Sequence, residues 1–415
     1  MLIFMIKLMI FFCSSIYFFI KLFKTKNKIT FISRQSNKIN KDFLLLKNDI
    51  ELRYKEYEVV VLCKKIENGI INKIKYVFHI FKQMYHIATS KVVVLDTYCI
   101  PVSILRHKKN LKVIQMWHAL GAFKKFGYSI EDKEEGTSSK LNKAMKMHKN
   151  YDYIFTSSEK CIPHFAEAFR YDEKYLKVYP LPRLDLLKDK KYKKDKTKSI
   201  LNVYPELKQK KNILYAPTFR IEKHSLIDKS QINDTKFIEK LIEQINFDEY
   251  NLILKSHPLS NLEIDDERII HDKKFTTLDM MLISDYVITD YSAIVYEAAF
   301  LNKPLFFYAY DMDEYLSKRE FYLDYKKDMP GIVTKDPKEL ITSIEKNIYS
   351  LDLVKKFKKE NIISSSNYTK KISDFIISII EDKKIKTIKR IKKVWYYEKN
   401  NYNNDFIIGS NRLWM

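Results

Sequence analysis

Residues 284–297, SDYVITDYSAIVYE, decide how the rest of the chain is read. Tyr286, Val287 and Ile288 form a short apolar run, Thr289 to Ser292 a polar turn, and a helical pattern follows. A buried strand that hands hydroxyls to a helix start makes an anion site. The first backbone N–H groups of a helix lack intrahelical partners, and the helix dipole favours negative charge there. Thr289 and Ser292 are the expected hydroxyl donors, and Glu297, on the second turn, is placed to take a ribose diol. The plainer alternative is a serine that only caps a helix.

Outward from this stretch the chain alternates short apolar runs with longer mixed segments. Strands are expected at 28–32, 58–62, 92–95, 113–116, 153–156 and 177–179, and again at 213–215, 252–255, 268–271, 286–288 and 305–308. Helical patterns fill the gaps, so the fold class is α/β, with two Rossmann-like doubly wound domains. The lysine-dense KDKKYKKDKTKS (188–199) reads as a solvated linker or surface loop. The expected organisation is an apolar segment 1–24, a first domain 25–187, a linker 188–211, a second domain 212–350, helices 351–382 and a basic amphipathic tail 383–415.

The first twenty residues carry one charge, Lys7, and are followed by Lys21, Lys24, Lys26 and Lys28. This length reaches across a bilayer, and the positive flank would keep the body in the cytoplasm. In the tail, Ile385, Ile388, Ile391 and Val394 recur every third residue among dense lysines, the pattern of a helix lying in an anionic membrane surface. The four cysteines are scattered and suit a reducing compartment. With 75 Lys+Arg against 52 Asp+Glu, the +23 charge calls for an anionic partner. No nucleic-acid motif is present, so nucleic acid is not that partner.

Six glycines leave no dinucleotide fingerprint or P-loop, and no Cys/His cluster suggests zinc. Neither cofactor nor metal is expected; Asp311-Met312-Asp313 is the one stretch that resembles a metal-holding pair. Two histidines follow strand ends: His118 after VIQMW, and His257 after LILKS. Ligands collect at the carboxyl ends of strands in open α/β sheets, and a histidine there can serve as a neutral base or a phosphate partner.

Five motifs occur in order: QMWHALGAFKKFGYS (115–129), YAPTFR (215–220), LKSHPL (254–259), SDYVITDYSAIVYEAAF (284–300), and KPLFFYAYDMDEY with REFYLDY and MPG (303–331). Together they resemble the CDP-glycerol glycerophosphotransferase family of teichoic-acid and related polymer synthesis. The resemblance implies a GT-B-like architecture with the CDP-polyol donor on the second domain. It also implies an enzyme at the cytoplasmic face of the cell membrane, acting on a lipid-linked saccharide or polyol-phosphate acceptor. Carried over residue by residue, His118 is the implied base, and His257 meets the donor pyrophosphate. Thr289 and Ser292 match the family's phosphate-binding turn and Arg319 a phosphate-neutralising arginine; Thr218, Arg220, Lys255 and Glu297 complete the expected donor and phosphate site. The family's Gly-x-Pro-Arg-x-Asp appears as Leu181 to Asp185, and its glycine after the arginine is Glu320. Glycerol and ribitol phosphate both remain open as the transferred group. So does a sialyltransferase-like enzyme of the same two-domain type.

Overall fold

A computed structural model describes residues 2–218, 229–256, 264–318 and 320–381. The expected site residues Arg220, His257 and Arg319, and the tail 383–415, lie outside the described residues.

The first half holds six strands: β1 (Lys28–Ser33), β2 (Glu58–Cys63), β3 (Val92–Leu95), β4 (Lys112–Gln115), β5 (Tyr153–Thr156) and β6 (Leu176–Val178). They pair in parallel in the order β2-β1-β3-β4-β5-β6. The second half repeats the theme with β7 (Lys211–Ala216), β8 (Tyr250–Leu254), β9 (Ile269–His271), β10 (Tyr286–Thr289), β11 (Leu305–Tyr308) and β12 (Ile332–Thr334). Their order, β12-β11-β10-β7-β8-β9, is that of a dinucleotide-type doubly wound sheet. Strands covered by helices on both faces must be apolar throughout. VVVL of β3 and LFFY of β11 are accordingly buried at every position.

Strand β12 lies beyond the predicted set. Its three residues carry little pattern of their own, and Gly331 before them lets the chain approach β11. A Cβ there would stand 1.9 Å from the Leu305 carbonyl oxygen.

The lysine-dense stretch is also not a surface loop. Lys190–Val203 is a helix, because Asp189 caps it by accepting from the N–H groups of Lys191 and Tyr192. Ile200 is fully buried, and Tyr192 donates to Asp279 at 2.8 Å. The lysines face water while this thin apolar and aromatic stripe docks on the helix Thr277–Ile283.

Two terminal helices close the body. Residues 368–381 form a helix that returns to the first sheet, where Phe375 packs on Tyr153, Phe155 and Tyr179. Its start is capped by Asp185, which accepts from Tyr368 N, Thr369 N and Thr369 Oγ1. At the other end, Leu2–Ile20 is a helix of mean hydropathy 2.2. One side rests on the body: Tyr17 is 1% exposed and donates its hydroxyl hydrogen bond toward His107 Nδ1 at 2.9 Å. The other side leaves Phe4, Leu8, Phe11, Phe12, Phe18 and Phe19 exposed.

Candidate active site at the strand ends

In a doubly wound sheet the strands diverge at a switch point, and the loops leaving it form a crevice for ligands. The first sheet switches between β1 and β3, and Asp96 is the residue that follows β3. The Asp96 carbonyl accepts from His118 Nδ1 at 3.0 Å. A carbonyl cannot donate, so Nδ1 carries the proton and Nε2 keeps its lone pair. Burial pushes the His118 imidazole down to about 4; the Asp96 hydrogen bond opposes this and the Arg183 charge reinforces it. The ring is therefore neutral near pH 7, the form in which a histidine accepts a proton.

The chain reaches this position through an unusual turn. Trp117 has φ +62°, a left-handed conformation that a bulky residue holds only when its surroundings impose it. Its ring stacks on Phe126 at 5.0 Å and meets Phe169 edge-on, which supplies that constraint. The Asp96 carboxyl is buried, hydrogen-bonded by Asn40 Nδ2 at 2.8 Å, and raised by burial to about 6.

The second sheet switches between β7 and β10. Here Asp290, fully buried, gathers the turn. It accepts from Thr218 N at 2.8 Å, Thr218 Oγ1 at 2.6 Å and Tyr291 N at 2.6 Å, while Tyr325 donates to its carbonyl at 2.6 Å. Tyr291 stacks on Tyr315 with ring centroids 3.8 Å apart.

Several expected donor-site residues have other commitments. Thr289 is buried, and its hydroxyl donates to the Ala216 carbonyl at 2.8 Å, fastening β10 to β7. Lys255 spends its ammonium on the Asp272 carbonyl (2.7 Å), the Asp272 carboxylate (2.8 Å) and the Phe275 carbonyl (2.7 Å). Three donors are all that a lysine has, so as folded it locks the 272–275 turn and holds none in reserve for phosphate. Ser292 does not cap the helix directly. The helix is Val295–Phe300, begins after Ile294, and places Glu297 in its first turn rather than its second. Glu297 is buried, its carboxyl raised by that burial against the pull of Arg183.

Arg183 links the two halves. Its Nε donates to Asp42 at 2.8 Å, its Nη1 to Glu297 at 3.3 Å and its Nη2 to the His118 carbonyl at 3.3 Å. A second seam runs beside it. Lys125 N donates to the Glu320 carbonyl at 2.9 Å, and Tyr322 N donates to the Phe123 carbonyl at 2.7 Å. Gly121 lies so close to Tyr296 that a Cβ would stand 2.3 Å from its ring. Glu320 pairs with Lys125 and Lys133 across this seam. The loop carrying His118 is thus stitched to the segment flanking position 319.

Sequence reading missed Asp96, Asp290, Asp42 and the bridging role of Arg183. Two of these had a signal: VVVL ends on Asp96 and YVIT ends on Asp290, an aspartate directly after a four-residue buried strand in each half. Among the described residues no group of three or more His, Cys, Asp or Glu could hold a metal ion. Asp311 accepts from Tyr291 at 3.1 Å, while Asp313 points outward to Lys335.

Residues 15–378 match the family model described as CDP-glycerol:poly(glycerophosphate) glycerophosphotransferase. A teichoic acid ribitol-phosphate primase of Bacillus spizizenii is 37% identical over 306 residues, covering 72% of this chain and 76% of the relative. A teichoic acid glycerol-phosphate primase of Bacillus subtilis is 30% identical over 388 residues, 89% of this chain and 97% of the relative. In fold, the wall teichoic acid polymerase TagF superposes with a TM-score of 0.67 at 21% identity, covering 87% of this chain and 90% of that one. The two facing parallel sheets are GT-B-like, and the chain belongs to the CDP-glycerol:poly(glycerophosphate) glycerophosphotransferase family of teichoic acid synthesis.

Proposed function

We propose that the protein transfers a polyol phosphate from a CDP-activated donor to a hydroxyl of a membrane lipid-linked acceptor or growing teichoic-acid-like polymer, releasing CMP. The observation that carries this reading is the His118 tautomer, a neutral Nε2 at a strand end with its other nitrogen pinned to the Asp96 carbonyl. Such a base takes the proton of the acceptor hydroxyl as its oxygen attacks the donor's polyol-linked phosphorus. The bond from that phosphorus to the bridging oxygen breaks, and CMP leaves with the electron pair. Positive groups and a hydroxyl of the second half would bear the developing charge on the leaving phosphate: Ser292, together with Arg220, His257 and Arg319.

Glycerol phosphate is the first polyol to test, after the family model. Ribitol phosphate is the second reading, favoured by the 37% identical ribitol-phosphate primase. The exposed aromatic face of Leu2–Ile20 supports work at the cytoplasmic face of the cell membrane. The deciding experiment incubates the protein with CDP-glycerol and CDP-ribitol separately, on a lipid-linked disaccharide, with mass spectrometry of the products. The expected result is CMP release together with a product heavier by one or more polyol phosphates. Incorporation of sialic acid from CMP-sialic acid, with no CMP released from either CDP-polyol, overturns it.

A further inference from the structure

The first half contains a cavity of about 640 Å³ that the chemistry above does not use. Its walls carry Arg106, Lys143, Lys146, Lys149 and Arg170, against the single carboxylate of Glu131. That carboxylate is already engaged, by Arg170 Nη2 at 2.9 Å and Asn142 Nδ2 at 2.9 Å. Arg106, Lys143 and Lys149 are exposed and have no acidic partner among the described residues. A pocket that concentrates like charge without compensation is unfavourable when empty and complementary to an anion.

The walls are built rather than accidental. Tyr98 donates to the Met145 carbonyl at 2.9 Å, Tyr128 to the Met147 carbonyl at 2.7 Å, and Asn150 Nδ2 to the Val102 carbonyl at 2.8 Å. Lys146, Asn150 and Arg170, all in the lining, hold left-handed backbone at φ +48°, +71° and +58°.

The surroundings indicate what kind of anion. Both sides of the cavity touch the apolar N-terminal helix: His107, next to Arg106, bonds to Tyr17, and the helix Ser139–Ala144 packs on Leu2–Ile20. Beside that helix, Ile70–Thr89 exposes Ile70, Ile71, Ile74, Val77 and Phe78 on one face, extending the apolar surface.

We propose that this cavity binds the phosphate or diphosphate of a membrane lipid whose chains lie against the apolar helices Leu2–Ile20 and Ile70–Thr89. Arginine and lysine at a membrane surface recognise such groups by charge-assisted hydrogen bonds, and an adjoining apolar surface selects a lipid over a free phosphate. The assignment extends the lipid-linked acceptor reading above. The phosphate could come from that acceptor or from bulk anionic lipid, and the test separates the two.

The full chain carrying Arg106→Gln, Lys143→Gln and Lys149→Gln together is compared with the unsubstituted protein in two binding assays. One titrates a prenyl diphosphate in neutral detergent micelles; the other measures co-sedimentation with phosphatidylcholine vesicles with and without phosphatidylglycerol. A loss of affinity of about tenfold or more is expected, and the arm in which it occurs names the source. A charge-matched control, Lys208→Gln with Lys338→Gln and Lys346→Gln, should leave both affinities unchanged. Equal affinity of the cavity variant and the parent in both arms overturns the site. So does an equal loss in the control, since net charge would then explain everything. Neither assay needs turnover, so failure here is distinguishable from failure of the CDP-polyol reading, which CMP release tests.

Discussion

The carboxyl edges of the two sheets have the same parallel construction and different chemistry. The first carries titratable groups held away from their ordinary values: His118 pushed down to about 4 and Asp96 pushed up to about 6, both chiefly by burial. The second carries a hydrogen-bonded turn in which Asp290 collects the backbone and hydroxyl donors of Thr218 and the N–H of Tyr291. One edge carries the neutral imidazole that we propose as the base, and the other carries a turn that holds its shape. Duplicating an architecture therefore duplicates the place where ligands collect, while the residue after each strand decides what happens there.

The sharpest way to break this contrast is to remove the proposed proton acceptor. His118→Ala should lower kcat by about two to four decades while the donor dissociation constant stays put, because a base acts in the transition state. Near-parental turnover in that variant would remove the first edge's distinctive role.

Next comes the bridge between the edges. Arg183→Leu leaves Asp42 and Glu297 buried without their cation, with side chains only 3% and 6% exposed. Unfolding free energy should fall by about 3 kcal/mol, the scale for breaking a buried ion pair from one side. Adding Asp42→Leu and Glu297→Leu should recover part of that loss in urea titrations. No recovery would mean that the network matters through packing rather than charge.

On the second edge, Asp290→Ala should cost about 2 kcal/mol, since the Thr218 and Tyr291 donors lose a buried acceptor. Donor binding should weaken while the acid limb of the pH profile stays where it was. A shifted acid limb would show that the second edge also handles protons.

The smallest effect is an absence of change. With the His118 ring at about 4, kcat/KM should stay flat between pH 7.5 and about 5.5 instead of falling near 6.5. Stability behaves otherwise. The unfolded chain takes up the proton near pH 6.5 and the folded site only near 4, so each step down through that window favours unfolding. His79 and His86, also lowered to about 4 by burial first and neighbouring lysines second, add to the same slope. Thermal melts at pH 7 and pH 5 should show the loss, and His118→Asn should make it smaller.

The sequence alone determined the twofold α/β plan. A parallel strand covered on both faces must be a short continuous apolar run, and eleven of the twelve strands announce themselves that way. It also determined the apolar first helix, because twenty nearly uncharged residues are visible without partners. Only the tertiary structure decided which polar groups are free to act. Lys255 and Thr289 sit where a phosphate ligand is expected, yet their donors are used by Asp272, Phe275 and Ala216. Arg183 reads as part of a short motif until folding brings it between Asp42 and Glu297, which lie 141 and 114 residues away. Strand and helix patterns are local consequences of burial and period. A hydrogen-bond donor's commitment depends on whichever acceptor the fold places beside it, and distance along the chain carries no information about that.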